Sequence, residues 1–196
     1  MKSIIGAILL VFALALAAPT SQAQSFMAAL SGPNESPANA SPGTGTAYVT
    51  INGNTMRVQV TFSGLTGNTT ASHIHASTTA PFTGTTGVAT TTPTFAGFPT
   101  GVTSGSYDNT LDMTLASSYN SAYITANGGT PTTAEAALFA AIPTGKTYLN
   151  IHTSTFSGGE IRGFLIATPE PGTVGFLIAL AASGTLAIRR RKPRLS

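Results

Sequence analysis

The chain has no cysteine and little charge: Asp, Glu, Lys and Arg together make up 8% of its 196 residues. Without cysteine there can be no disulfide and no thiolate metal site, so the folded domain must be held by packing and backbone pairing alone. Cations are scarcest where a partner would meet them. Of nine Lys and Arg, Lys2 lies in the N-terminal segment, and Arg189, Arg190, Arg191, Lys192 and Arg194 lie in the C-terminal tail. Between Gln24 and Thr168 only Arg57, Lys146 and Arg162 face Glu35, Asp108, Asp112, Glu135 and Glu160, a net charge of −2. That body offers no basic surface to a phosphate backbone, which excludes nucleic acid as a partner. The many serines stand in no context that marks one as activated, so no catalytic residue is assigned.

Histidine is equally scarce, and its placement is informative. Two of the three histidines occur in Ala71-Ser72-His73-Ile74-His75-Ala76-Ser77. In a strand, alternation points His73 and His75 one way and Ile74 the other. The third sits in Thr147-Tyr148-Leu149-Asn150-Ile151-His152-Thr153, where Leu149 and Ile151 share one face, and Tyr148, Asn150 and His152 the opposite one. If the two strands are neighbours, Ile74, Leu149 and Ile151 line the core and His73, His75 and His152 gather outside it. Neutral imidazoles are good copper and zinc ligands, and three of them leave a fourth position for water, a carboxylate or a substrate. The alternative is that the imidazoles hydrogen-bond to Tyr148, Asn150 or loop carbonyls and hold a loop against the sheet.

Taken in order, residues 1–23 have the form of a secretory signal peptide. Lys2 precedes an apolar run from Ile4 to Ala18, and Ser21-Gln22-Ala23 places small residues where a signal peptidase cuts. The run is shorter than the ~20 residues of a membrane span. From Ser25 onward short β-like runs alternate with Gly, Pro, Asn, Ser and Thr. Strands are expected at Ser25–Leu30, Thr46–Ile51 and Met56–Phe62, the last two joined through Asn52-Gly53-Asn54, a hairpin signal. Residues 78–105 form a long Thr/Gly/Pro-rich stretch with isolated Phe82, Phe95 and Phe98, of a length typical of lids, binding loops or disordered spacers.

A strand over Tyr107–Leu115 should put Leu111, Met113 and Leu115 on one side. Two short helices follow, Tyr119–Asn127 capped by Ser118, and Ala134–Ile142 opened by a capping box of Thr132 and Glu135. The final strand, Glu160–Ile166, places Glu160 and Arg162 on one face two residues apart, where an ion pair is expected.

The C-terminus joins Pro169-Glu170-Pro171, an apolar span over residues 172–188 long enough to cross a bilayer, and the cluster Arg189-Arg190-Arg191-Lys192. The basic cluster should remain cytoplasmic and the body outside. This order resembles the PEP-CTERM sorting signal. The resemblance implies processing by an exosortase in an exopolysaccharide-producing Gram-negative bacterium, and hence export to the envelope, surface or extracellular matrix, where biofilm polysaccharide or other extracellular proteins would be partners.

The body resembles a family as well. Gly64-Leu65-Thr66-Gly67 leading to His73-Ile74-His75, then Tyr148-Leu149-Asn150-Ile151-His152-Thr153, then Gly158-Gly159-Glu160-Ile161-Arg162-Gly163 look like the CHRD domain over roughly Phe26 to Ile166. The family is associated with extracellular binding. A Gly-Leu turn before a His-x-His strand is also similar to Cu/Zn superoxide dismutase, although three histidines cannot supply that enzyme's two metals. Together these imply a mostly β protein, an antiparallel β-sandwich of superoxide-dismutase or immunoglobulin type with two short helices. The expected division is a signal peptide at 1–23, a CHRD-like domain at 24–168 and a sorting segment at 169–196.

Overall fold

A computed structural model describes residues 23–168. The rest of the expected signal peptide lies outside the described residues, as do Pro169-Glu170-Pro171 and the expected membrane helix. Among the described residues, no helix is long and apolar enough to cross a membrane.

Alternation builds the strands: in β3 (Thr55–Ser63) Met56, Val58, Val60 and Phe62 are buried between exposed or half-buried neighbours. Its partner β2 (Thr44–Asn52) joins it through Gly53 and Asn54, with Gly53 at φ 54°, the positive φ that a two-residue hairpin turn requires. The other strands are β1 (Gln24–Ser31), β4 (Thr69–His75), β5 (Gly105–Asp112), β6 (Tyr148–Thr153), β7 (Ile161–Phe164) and β8 (Ile166–Ala167).

All pairings are antiparallel, in the order β4-β6-β7-β1-β2-β3-β5, with β8 continuing beyond β7 along β1. The two halves of a sandwich are thus one sheet, curled through the β7–β1 contact around a single core. Phe26, Leu30, Val49 and Val58 come from one half, Ile74, Leu149, Ile151 and Ile161 from the other. Thr168 donates through its backbone N–H and its hydroxyl to Ser25 O, so the first and last described segments lie side by side.

The helices are α1 (Ser121–Ala126) and α2 (Pro131–Ala141), and both begin differently from expectation. Asn120, not Ser118, caps α1 by accepting from Ala122 N, while Ser118 closes a short 3-10 turn and donates to Asp112 O. In α2 the capping box is Thr130 with Thr133 rather than Thr132 with Glu135. Proline has no N–H to lose and is preorganised for the first helical position, so Pro131 fixes the cap one residue before itself. Leu115 is likewise off its strand: Asp112 Oδ1 accepts from the backbone and hydroxyl of Thr114, turning the chain and leaving Leu115 exposed.

Residues 78–105 form an ordered cover. Ile74 O accepts from Ala89 and Thr90, Ser72 O from Phe95, and Thr69 O from Gly101, so the cover seals the free edge of β4. Phe95 and Phe98 enter the core, whereas Phe82 stays outside it.

Candidate metal centre

Strands β4 and β6 are neighbours, with Ile74 opposite Leu149, His73 opposite Asn150 and Ala71 opposite His152. Ile74, Leu149 and Ile151 are fully buried in the core. Alternation then leaves His73, His75 and His152 together on the other face, with ring centroids 5.0 to 6.3 Å apart. That face is not open to water. The 78–105 cover lies over it, so His73 and His75 are buried and His152 is half-buried.

Each imidazole is held through one ring nitrogen and left free at the other. His73 Nε2 donates to Pro93 O, His75 Nδ1 to Thr86 O at 2.9 Å, and His152 Nδ1 to Ser157 O at 2.8 Å. A carbonyl only accepts, so each of these nitrogens carries the proton and the opposite one carries a lone pair. Those opposite nitrogens, His73 Nδ1, His75 Nε2 and His152 Nε2, are buried and have no hydrogen-bond partner. One ligand nitrogen from each histidine lies within 4.8 Å of the other two. Carbonyls that fix the tautomer and aim the lone pair are the usual outer shell of a histidine metal site.

Electrostatics keep the lone pairs available. Burial pushes the pKa of His73 and His152 below the ordinary histidine value and that of His75 down to about 4, against the opposing pull of the carbonyls. Tyr148 lies flat on His75, with centroids 4.6 Å apart and planes 8° apart, and fixes the ring from behind. Arg162 sits on the far side of Tyr148, 4.7 Å from its ring centroid.

Glu160 and Arg162 do not pair with each other. Arg162 meets Glu35, its Nε 3.8 Å from Glu35 Oε2. Glu160 is fully buried and accepts from Ser41 Oγ and Thr153 Oγ1, each at 2.6 Å, and from Thr66 N and Gly67 N. Burial alone would raise its pKa, but these four bonds outweigh burial and hold it below the ordinary value. Gly67 comes so close to Thr153 and Thr155 that a Cβ there would lie 2.7 Å from their atoms. Glu160 therefore ties the Gly64-to-Gly67 turn to the end of β6. Spacing on one strand could not reveal this, because every partner comes from other segments.

Loop carbonyls were anticipated as partners of the imidazoles, but not which ones: any residue type supplies a carbonyl acceptor, so Pro93, Thr86 and Ser157 carry no signal of their own. Glu35 gave none either, as a lone acid in a proline-bounded loop.

A family model for the CHRD domain matches residues 26–165, and one for the PEP-CTERM protein-sorting motif matches residues 167–192. No curated protein and no solved structure matches the chain.

Proposed function

The chain belongs to the CHRD domain family and is an exported, exosortase-sorted protein of the cell envelope or surface, and we propose that its body there is a binding module whose working part is a copper or zinc site on His73, His75 and His152. The observation that carries this reading is the set of three buried, unpartnered nitrogens, one from each ring. Buried polar atoms are nearly always hydrogen-bonded, and three orphans within a few ångströms of one another share one simple remedy, a cation between them. The proposed division of the chain is a signal peptide at 1–23, the binding body at 24–168 and a sorting segment at 169–196 with its membrane helix at 172–188.

Holding a metal is favoured over turnover. Among the described residues no carboxylate joins the three histidines, and Glu160, the most buried acid, is saturated by its own hydrogen bonds. A fourth ligand would come from water or from a bound partner.

Metal analysis of the purified full chain, loaded with Cu or Zn and then desalted, tests the proposal against His73→Ala. Close to one equivalent in the native protein, lost in a variant with unchanged circular dichroism, is expected. A native protein that retains no metal, or a variant that retains as much, would leave the histidines as a support for the cover.

A further inference from the structure

A second feature lies beside the histidines, with the Tyr148 ring between them: a cleft of about 510 Å³ on the outer face of β1, β7 and β8, within the size range of small-molecule sites. Its floor holds a charged pair, Glu35 and Arg162, whose side chains are each only 5% exposed. The pair is loosely made. Arg162 Nε donates to Asn34 O and a terminal nitrogen to Gly84 O, which uses two of the five guanidinium donors. Glu35 Oε1 accepts from Asn150 Nδ2 at 2.8 Å, while Oε2 stands 3.8 Å from Arg162 Nε, beyond hydrogen-bond length. A donor and an acceptor with spare capacity thus lie side by side under the cleft.

The wall is aromatic. Phe82 and Phe164 meet edge to face with centroids 6.1 Å apart, and Phe82 keeps 58% of its surface exposed. Phe82 also has φ 58°, a left-handed conformation that is an outlier for a bulky residue. Strain of this kind concentrates at binding sites, where the surroundings hold a side chain in place. Ile166, 56% exposed, extends the apolar wall.

Taken together, the two surfaces select a ligand. Arg162 opposes a cation, and Glu35 in its ionised form opposes an anion, so a strongly charged ligand of either sign meets a like charge. Burial, opposed by Arg162, lifts the Glu35 pKa to about 7, which makes it a weak partner for an ammonium group but one able to accept from or donate to a hydroxyl. A molecule with one apolar C–H face and a rim of vicinal hydroxyls fits the aromatic wall and the mixed floor at once. We propose that this cleft binds a neutral saccharide unit, its C–H face on Phe82 and its hydroxyls shared between Glu35 and Arg162.

Saturation-transfer NMR of the full chain, kept in a detergent without sugar headgroups, tests the proposal with cellotetraose and maltotetraose as neutral probes, glucuronate as an anionic one and the dipeptide Gly-Phe as a zwitterion. Transfer to the ring protons of at least one glucan is expected. Phe82→Gly should weaken it at least fivefold while thermal stability holds or rises, because glycine adopts that φ freely. Glu35→Gln leaves Arg162 unopposed and should shift preference toward glucuronate. Absence of transfer to both glucans, transfer untouched by Phe82→Gly, or a response to Gly-Phe alone would overturn the proposal.

Discussion

Glu160, just before β7, and the histidines of β4 and β6 are both buried polar groups, and they are finished in opposite ways. The Glu160 carboxylate takes four hydrogen bonds and has no unmet capacity apparent in its surroundings. Each histidine spends one nitrogen on a carbonyl and leaves the other buried and bare. A saturated buried group is a structural tie, since removing any partner leaves another orphaned. Unsaturated nitrogens that converge are a different object, a cluster of lone pairs open to the cation proposed above. Both clusters lie within the residues that the CHRD family model matches, so membership of that range alone does not separate the two roles.

The comparison is most severely tested by removing the tie. Glu160→Ala strands two backbone N–H groups and two hydroxyls, and chemical denaturation should show a loss of about 3–5 kcal/mol, the range for breaking a buried charged network. The histidine site should survive in whatever fraction stays folded. An equally large loss from His73→Ala in the metal-free protein would mean that the histidines too are structural ties.

Acid acts on both clusters with the same sign but in different pH windows. His75 is neutral in the fold down to about pH 4 but titrates near 6.5 when unfolded, so the unfolded chain binds more protons between those values. Metal-free stability should therefore be full above pH 6.5 and fall on the order of 3 kcal/mol as the pH drops toward 4. Glu160, held below its ordinary 4.5, should remove stability only at lower pH, as protonation reaches its folded value. Glu35, pushed up to about 7, works against the histidines: its own contribution weakens as pH rises from 4.5 toward 7. Urea midpoints for the native protein and His75→Gln across pH 4–8 should differ in slope between 4 and 6.5, and parallel curves would rule out the histidine account.

Metal should sharpen the contrast further. At a free ion concentration a hundred times the dissociation constant, a ligand of the folded state adds about 2.7 kcal/mol. Thermal melts should show that gain in the native protein and in a Glu35→Gln variant, and no gain in His152→Ala. The smallest effect belongs to Asp108→Asn, which removes an exposed pair with Arg57 at 2.6 Å, both side chains about half exposed. Solvent screens such pairs, so its melting point should be nearly native at physiological salt.

Much of this was legible beforehand. The alternation around Ile74 and Ile151 separates core from polar face whatever the neighbouring strands do, so it placed the three histidines on one side. The hairpin at Gly53 and the two helices were equally visible, since turn and helix signals are local. Helix starts were shifted because Pro131 and Asn120 compete better than the residues first favoured. Arg162 was misassigned because its partner, Glu35, arrives from a distant loop.

By itself the sequence determined which faces are apolar, that no thiolate takes part, and that a sorting motif follows the body, because composition and periodicity are properties of short stretches. Only the tertiary structure decided which polar atoms are satisfied. A hydrogen bond needs a particular donor and acceptor within about 3 Å, and for the histidines and Glu160 those partners come from loops and turns that only folding brings alongside.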